Sequence, residues 1–280
     1  MMIEVIDRVP TYPGRVKMIP VVGQENTYDM VRADSPIEVG TPINKALFDS
    51  ISSDVSALNQ NVANLINAHA SLNAIGGLAV GTEVGIYENG ILVPYIKVSG
   101  DYGGTGRSAV MRKDIYKMDY LTTSSQQNKY INGLCDTWLN TEFFSVLDSL
   151  TQEAVEDVAI QYYKVNDSTR YTANRKVFLA SNTELGGASP NVEGTALPYF
   201  NSDERRIARY NGSPSRYWGR SVVPNDNNAT TMVQNTGQIS NANPYQNKYG
   251  VRPMFTLPHD FEVAMNNPST ANVNATAEVI

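Results

Sequence analysis

Apolar residues recur in alternating steps of three and four from residue 48 to residue 72, and this spacing predicts one long amphipathic helix. Its start is indicated by Thr41-Pro42, a capping residue followed by proline at the first helical position. Such a repeat over more than three heptads is typical of a coiled-coil seam. We therefore expect a coiled-coil stalk helix over residues 41–76. The predicted oligomerisation residues are Phe48, Ile51, Val55, Leu58, Val62, Leu65, His69 and Leu72.

The seam leaves the oligomeric state open. Valine at the first core position with leucine at the fourth favours two strands. An amphipathic helix that lies on its own domain is the alternative to self-association. His69 at a core position is typical of a residue that sets register or oligomeric state, and in a trimer three such histidines would be placed to hold an ion or a water on the axis.

Residues 1–40 alternate short apolar runs with proline and glycine, which predicts two or three short strands. The clearest run extends from Val16 to Val22. A β-rich module of this size holds only a small core, so we expect it to need a partner surface.

The part of the chain after the helix is predicted to be a β-rich domain over residues 80–265, followed by a tail at 266–280. It opens with Asn89-Gly90 between two apolar runs, a strong hairpin signal. Further strands are predicted at 109–116, 159–163, 176–180 and 252–257, helices at about 128–139 and 141–150, and loops at 165–174 and 189–197. This mixture indicates an α+β fold class.

The passage from Asn225 to Lys248 is rich in asparagine and offers a core little apolar surface. It lies between Tyr217–Ser221 and Gly250–Pro253, which are aromatic and carry arginines. We interpret these two ends as core framework and the passage between them as a display surface. Small amides and tyrosine suit adaptable polar recognition. The predicted receptor-binding residues are Asn225, Asn227, Asn228, Asn235, Gln238, Asn241, Asn243, Tyr245 and Asn247.

Two alternatives belong to this region. The oxygens of residues 225–228 suit calcium, although a solvated turn explains the same residues through local hydrogen bonds. Trp218 and Arg220 are candidates for ligand contact, and equally for a buried aromatic and a buried, paired arginine.

Composition narrows the function classes. With Lys+Arg 22 against Asp+Glu 28 the net charge is -6 and the basic residues are scattered, which argues against nucleic acid as a partner. No apolar run approaches the ~20 residues of a membrane span and the start of the chain lacks a signal pattern, so we expect synthesis in a cytoplasm and no membrane insertion. Cys135 is the only cysteine and is expected to be buried.

No motif for catalysis stands out. The two histidines, His69 and His259, adjoin no nucleophile motif, and no pair among the 28 acidic residues is singled out. Gly100–Arg107 lacks the lysine and following Ser/Thr of a nucleotide loop and is predicted to be a surface loop. We therefore predict no enzyme activity, no cofactor and no metal.

Five short motifs follow one another in a fixed order along residues 80–265. They are Ala109–Tyr116, the helix around Trp138, Lys176–Leu179, Tyr217–Ser221 and Tyr249–Pro253. Together they resemble the DUF6273 domain of phage and prophage tail proteins. That domain is similar to the C-type-lectin fold, which formylglycine-generating enzymes and the variable proteins of diversity-generating retroelements also use.

The resemblance implies a fold more firmly than an activity. The enzyme relatives use a cysteine-based copper site, for which this chain has Cys135 alone. Calcium-dependent lectins use Glu-Pro-Asn or Gln-Pro-Asp, and neither tripeptide occurs here. Residues 5–16 and 40–44 resemble the start of tail-fibre-like proteins from phages of Gram-positive bacteria. Such fibres are trimers, so the resemblance favours a homotrimer over the dimer.

These observations predict a phage tail-fibre or tail-tip protein of the virion, made in the host bacterial cytoplasm. Residues 1–40 would attach to other tail or baseplate proteins, and residues 80–265 would bind a glycan or protein receptor on the host surface. The asparagine-rich passage would suit diversification by a retroelement. The alternative is a structural tail or baseplate component with no receptor contact. A polysaccharide-cleaving enzyme is a third class, which no motif supports.

Overall fold

Two units, residues 1–66 and 67–280, organise the chain. The computed structural model describes residues 9–10, 16–32, 36–38, 45–70, 72–123 and 130–265. The predicted tail, 266–280, lies outside the described residues. The domain boundaries predicted from the sequence stay predictions.

The first unit contains short strand pairs and one long helix. Its elements are β1 (Val9–Pro10), β2 (Val16–Pro20), β3 (Tyr28–Arg32), β4 (Pro36–Glu38) and most of α1 (Lys45–Ala70), which ends four residues beyond the unit. Strands β2 and β3 form an antiparallel hairpin in which Val16 pairs with Arg32. Strands β1 and β4 pair with each other. The strand predicted from Val16 onward is confirmed.

Helix α1 presents its apolar residues to solvent. Between 45% and 62% of the surface is exposed at Phe48, Ile51, Val55, Leu58 and Val62. The helix ends at Ala70 rather than near residue 76, because Leu72 already belongs to a strand that pairs with Ala264. Leu72, predicted as the last residue of the helical seam, therefore lies in a strand and not in the helix.

The second unit contains the remaining strands and several short helices. The strands are β5 (Leu72–Ala74), β6 (Glu83–Glu88), β7 (Ile91–Ser99), β8 (Arg107–Arg112), β9 (Lys117–Asp119), β10 (Val158–Tyr163), β11 (Arg170–Arg175), β12 (Val177–Phe178), β13 (Ala208–Tyr210), β14 (Ser213–Ser215), β15 (Tyr217–Val222), β16 (Thr230–Val233), β17 (Ile239–Ala242), β18 (Tyr249–Val251), β19 (Met254–Pro258) and β20 (Glu262–Ala264). The helices are α2 (Leu134–Trp138), α3 (Phe144–Val146), α4 (Ser149–Ala154) and α5 (Asp203–Arg206), with a 3-10 turn at Ile75–Gly77 and a π turn at Leu139–Phe143.

Two sheets dominate this unit. A seven-stranded sheet has the order β12-β19-β8-β7-β6-β20-β5, and a five-stranded sheet has the order β17-β16-β15-β18-β9. The hairpins β10–β11 and β13–β14 stand apart from both. One hydrophobic cluster takes residues from both large sheets, with Tyr95 and Phe255 from the first and Trp218 from the second. The predicted Asn89-Gly90 hairpin is confirmed, with φ of 48° and 78° at the two turn residues.

The fold class predicted from the sequence is wrong. The chain is β-rich, with 36% strand against 19% helix, rather than α+β. No coiled coil is seen among the described residues, where α1 is a single helix. Part of the difference lies at residues 165–174, predicted as loop, where β11 pairs along its whole length with β10. The rest lies at residues 141–150, where Leu147 becomes extended and bridges to Glu88, which divides the predicted helix. With the class, the expected C-type-lectin-like architecture is withdrawn.

Candidate functional site

Strand β15 is buried at every position, from Tyr217 to Val222. The indole Nε1 of Trp218 donates to the carbonyl of Asp119 at 2.9 Å, and the hydroxyl of Tyr217 donates to the carbonyl of Arg206 at 2.8 Å. A Cβ at Gly219 would lie 3.2 Å from the carbonyl oxygen of Ala180, so this position is tight for any larger residue. The prediction that this motif is core framework is confirmed.

Arg220 forms the most deeply buried ion pair of the described residues. Its Nη1 and Nη2 lie 2.5 Å and 2.7 Å from the two carboxylate oxygens of Glu184, and both side chains are at most 1% exposed. Glu184 also accepts from the Tyr102 hydroxyl at 2.7 Å and from the Ser181 amide at 2.9 Å. Because all of these groups are satisfied by one another, Arg220 is a structural residue.

Glu193 is a second buried carboxyl next to this pair. Its Oε2 accepts a short hydrogen bond from the Ser221 hydroxyl, and its Oε1 accepts from the Tyr163 amide at 3.1 Å. Burial raises the pKa of Glu193 to about 7, against the opposing effects of Arg220 and of these hydrogen bonds. The carboxyl therefore changes protonation near neutral pH.

The other end of the framework is Gly250–Pro253, and it lies beside β15. Gly250 pairs with Tyr217 in a parallel bridge. The guanidinium of Arg252 is 1% exposed, with Nε donating to the carbonyl of Arg112 at 2.8 Å and Nη1 donating to the Tyr217 hydroxyl at 3.3 Å. Both predicted ends are thus buried and joined to each other.

The passage between these ends is partly core. Strand β16 is buried at all four residues and lies between β15 and β17, so the expectation that residues 225–248 hold almost nothing for a core is wrong. The sequence signal was the short run Thr230–Val233, two β-branched threonines followed by methionine and valine.

The exposed residues of this passage gather mainly at one end of β16. The turn after β15 places Asn225 at φ of 60° and lets Asp226 accept the Asn228 amide at 2.8 Å. The Tyr245 hydroxyl donates to the Asn228 side-chain oxygen at 2.5 Å, which joins this turn to the segment after β17.

That segment is held by its own asparagines. The side-chain oxygen of Asn243 accepts the Tyr245 amide at 3.2 Å, and the Asn247 side chain donates to the Asn243 carbonyl at 3.1 Å. We call Asn228, Asn243, Tyr245 and Asn247 the Asn/Tyr surface. The first is exposed and the other three are half-buried.

The structure separates the other predicted contact residues. Asn225 and Asn227 lie in the exposed turn beside the Asn/Tyr surface. Asn235 and Gln238 lie in the turn at the opposite end of β16, where the Gln234 amide donates to the Gln238 carbonyl at 2.8 Å. Asn241 is exposed within β17, the edge strand of the five-stranded sheet.

Two residues that the sequence did not single out adjoin the Asn/Tyr surface. The Leu121 amide donates to the carbonyl of Pro244 at 3.0 Å, which brings the preceding Tyr120 to this segment. The ammonium of Lys248 lies 5.1 Å from the centre of the Tyr120 ring. Tyr120 lies outside every strand and helix predicted from the sequence, and sequence spacing does not show which loop it meets.

The chemistry of the described residues adds little to this picture. They contain no group of three or more His, Cys, Asp or Glu side chains able to hold a metal ion, at residues 225–228 or elsewhere. Cys135 is buried, as predicted, and burial raises the pKa of its thiol. No helix in the part of the chain that the structure describes is both long and apolar enough to cross a membrane.

The chain belongs to the DUF6273 family, a domain of unknown function, which matches residues 105–259. The match contains both framework ends and the Asn/Tyr surface, and it confirms the DUF6273 part of the resemblance. No curated protein and no solved structure matches the chain.

Proposed function

We propose that this chain is a receptor-binding protein of a phage tail, and that the Asn/Tyr surface contacts the receptor on the host cell. One observation supports this most: amide and tyrosine side chains from two separate loops meet on one surface through a hydrogen bond, and the strands on either side of the first loop, β15 and β16, are buried throughout. Such a surface loses little conformational entropy on binding, because its loops are already fixed by hydrogen bonds. A host-surface glycan or protein would be bound through polar contacts.

The rest of the proposal concerns assembly. Five apolar residues of α1 are between 45% and 62% exposed, and an exposed apolar patch is typical of an interaction site, so we propose that copies of this chain cover them in a homotrimer. Three copies would raise avidity above the affinity of a single site. The N-terminal module would attach to other tail or baseplate proteins of the virion.

The test is a loop exchange between two family members that bind different strains. Only residues 225–228 and 243–247 are exchanged, so that the buried strand β16 is kept. We expect the set of bacterial strains bound by the purified protein to follow the exchanged loops. A matched control exchanges the exposed turn 211–212, which lies outside the Asn/Tyr surface, and it should leave strain binding unchanged. If the set of bacterial strains bound does not change with the exchanged loops, the proposal is refuted.

A structural tail component is the second candidate, and the apolar face of α1 favours it. In that case the Asn/Tyr surface would be covered by neighbouring proteins in the assembled particle. Diversification of the loops by a retroelement is a further proposal, which requires a reverse-transcriptase gene and a near-copy of the 3′ end beside the gene.

A further inference from the structure

A cavity of about 580 Å³ lies away from the Asn/Tyr surface, with which it shares no residue. Its volume is in the range of sites for small ligands. One wall is the loop after β7, a second is the β10–β11 hairpin, and a third is the segment Gly194–Pro198. A ligand here would therefore contact residues other than those of the proposed receptor contact.

The glycine-rich loop after β7 lines one side of the cavity. Gly103, Gly104 and Gly106 have φ of 61°, 73° and 70°, a left-handed backbone that glycine adopts without strain. The side chain of Asp101 closes the loop by accepting the Gly106 amide at 2.8 Å through Oδ1. The first two glycines line the cavity without side chains, so a ligand can approach the backbone there. Residues 103–106 are exposed, which confirms the predicted surface loop.

The back of the cavity carries no free charge. It is formed by Tyr102 and Glu184, whose polar atoms are used by each other and by Arg220. The Tyr102 ring is fixed against Phe178, with ring centres 5.3 Å apart. These residues give the cavity a rigid wall and leave recognition to other side chains.

Three side chains around the cavity keep polar groups available. The guanidinium of Arg170 has no ion pair among the described residues, and Asp101 has none either. Gln161 accepts the Gly194 amide at 3.0 Å through its side-chain oxygen, which leaves its NH₂ group to donate. Gln161 and Arg170 share one face of the β10–β11 hairpin, because Gln161 pairs with Thr172 and Tyr163 with Arg170.

Arg170 is positively charged, Asp101 is negatively charged and Gln161 is neutral, and these charges indicate which class of ligand fits. A guanidinium binds a carboxylate in a paired geometry, and a carboxylate binds an ammonium. A side-chain NH₂ donates to a carbonyl. The remaining lining is apolar and includes Ala159, Leu197 and Pro198. We propose that this cavity binds a short zwitterionic peptide, with its carboxylate at Arg170, its ammonium at Asp101 and a backbone carbonyl at Gln161.

The test uses the dipeptide alanyl-leucine and two capped forms of it, measured by titration calorimetry against the full chain. N-acetylation removes the ammonium and C-terminal amidation removes the carboxylate. We expect each cap to lower the affinity about tenfold or more, because each removes a charge-assisted hydrogen bond.

Two variants assign the contacts. Asp101→Asn keeps an oxygen for the Gly106 amide but loses the charge. It should therefore lower the affinity for the free dipeptide and leave the affinity for the N-acetylated form unchanged. Arg170→Gln should lower the affinity for the free dipeptide and leave the affinity for the amidated form unchanged. Asp260→Asn and Arg209→Gln change exposed residues outside the cavity and serve as matched controls with unchanged affinity.

Several results would overturn the proposal. They are absence of dipeptide binding, equal affinity for a capped form, or unchanged affinity in both cavity variants. A sugar acid, which offers a carboxylate without an ammonium, should bind more weakly than the dipeptide. If it binds more tightly, the zwitterion is the wrong ligand class.

Discussion

Strand β15 and the Asn/Tyr surface are joined by a single turn, yet they use polar residues in opposite ways. In β15 the polar groups are buried and paired with other protein groups, as the Arg220 guanidinium is with the Glu184 carboxylate. On the Asn/Tyr surface the polar groups are hydrogen-bonded locally but remain accessible, as Asn228 is with Tyr245. Position in the sheet decides the difference, since β15 is an inner strand and the loops lie beyond the strand ends.

This contrast predicts how substitutions divide. A change in the buried network leaves a charge or a polar group without a partner in a water-poor interior, so it should act on stability. A change on the Asn/Tyr surface leaves groups that water can satisfy, so it should act on binding.

The largest effect is expected for Glu184→Gln. It keeps the shape of the side chain but leaves the buried Arg220 guanidinium without its ion-paired carboxylate, which costs about 3 to 5 kcal/mol. Urea unfolding measures the change. The matched control is Glu83→Gln, which breaks the half-exposed pair with Lys113 and should cost about 1 kcal/mol or less. Equal losses in the two variants would show that burial of the pair is not what matters.

The next effect is a pH dependence from Glu193. Its pKa is about 7 in the folded chain, above the ordinary value of 4.5, so the folded state binds more protons between these values. The stability that Glu193 contributes should therefore be fully present below about pH 4.5, fall by about 3 kcal/mol as the pH rises from about 4.5 to about 7, and change little above that. Because other groups titrate as well, the measurement is the difference between the wild type and Glu193→Gln across this range. A difference that does not change with pH would contradict the role of this carboxyl.

A smaller effect on stability is expected at Asn225, where substitutions distinguish a role in the turn from a contact with the receptor. Its φ of 60° explains asparagine there through backbone conformation alone. Asn225→Ala should lower the free energy of unfolding by about 1 kcal/mol, whereas Asn225→Gly should leave it within about 0.5 kcal/mol. If Asn225→Gly loses receptor binding while it keeps stability, the side chain itself contacts the receptor.

The framework was more predictable from the sequence than the site. Tyr217–Ser221 and Gly250–Pro253 form compact aromatic and arginine motifs, and the Asn89-Gly90 turn has its own backbone signal. Strand β16 was missed because its burial comes from β15 and β17 on either side, which a short run in a polar passage does not reveal. Strand β11 was missed for a similar reason, since Tyr171 is packed by stacking on Tyr162 from β10.

The site was predictable only as a list of residue types. Of the predicted contacts, Asn228, Asn243, Tyr245 and Asn247 meet through hydrogen bonds, while Asn235 and Gln238 lie at the other end of β16. Which asparagines converge depends on strand register, and the register is set by the buried partners of the strand.

The smallest effect on stability and the largest on binding are expected from one variant, Asn228→Ala combined with Tyr245→Ala. Asn228 is exposed and Tyr245 is only half-buried, so the free energy of unfolding should stay within about 1 kcal/mol of the wild type. The matched control is Asn201→Ala combined with Tyr87→Ala, which changes an exposed asparagine and a tyrosine that is 47% exposed elsewhere.

The most direct test measures unfolding and host-cell binding on the same preparation of this Asn/Tyr variant. We predict near-normal stability together with cell binding reduced about tenfold or more, while the control variant binds as the wild type does. Unchanged cell binding, or a loss of several kcal/mol of stability, would contradict the separation of a buried framework from a binding surface.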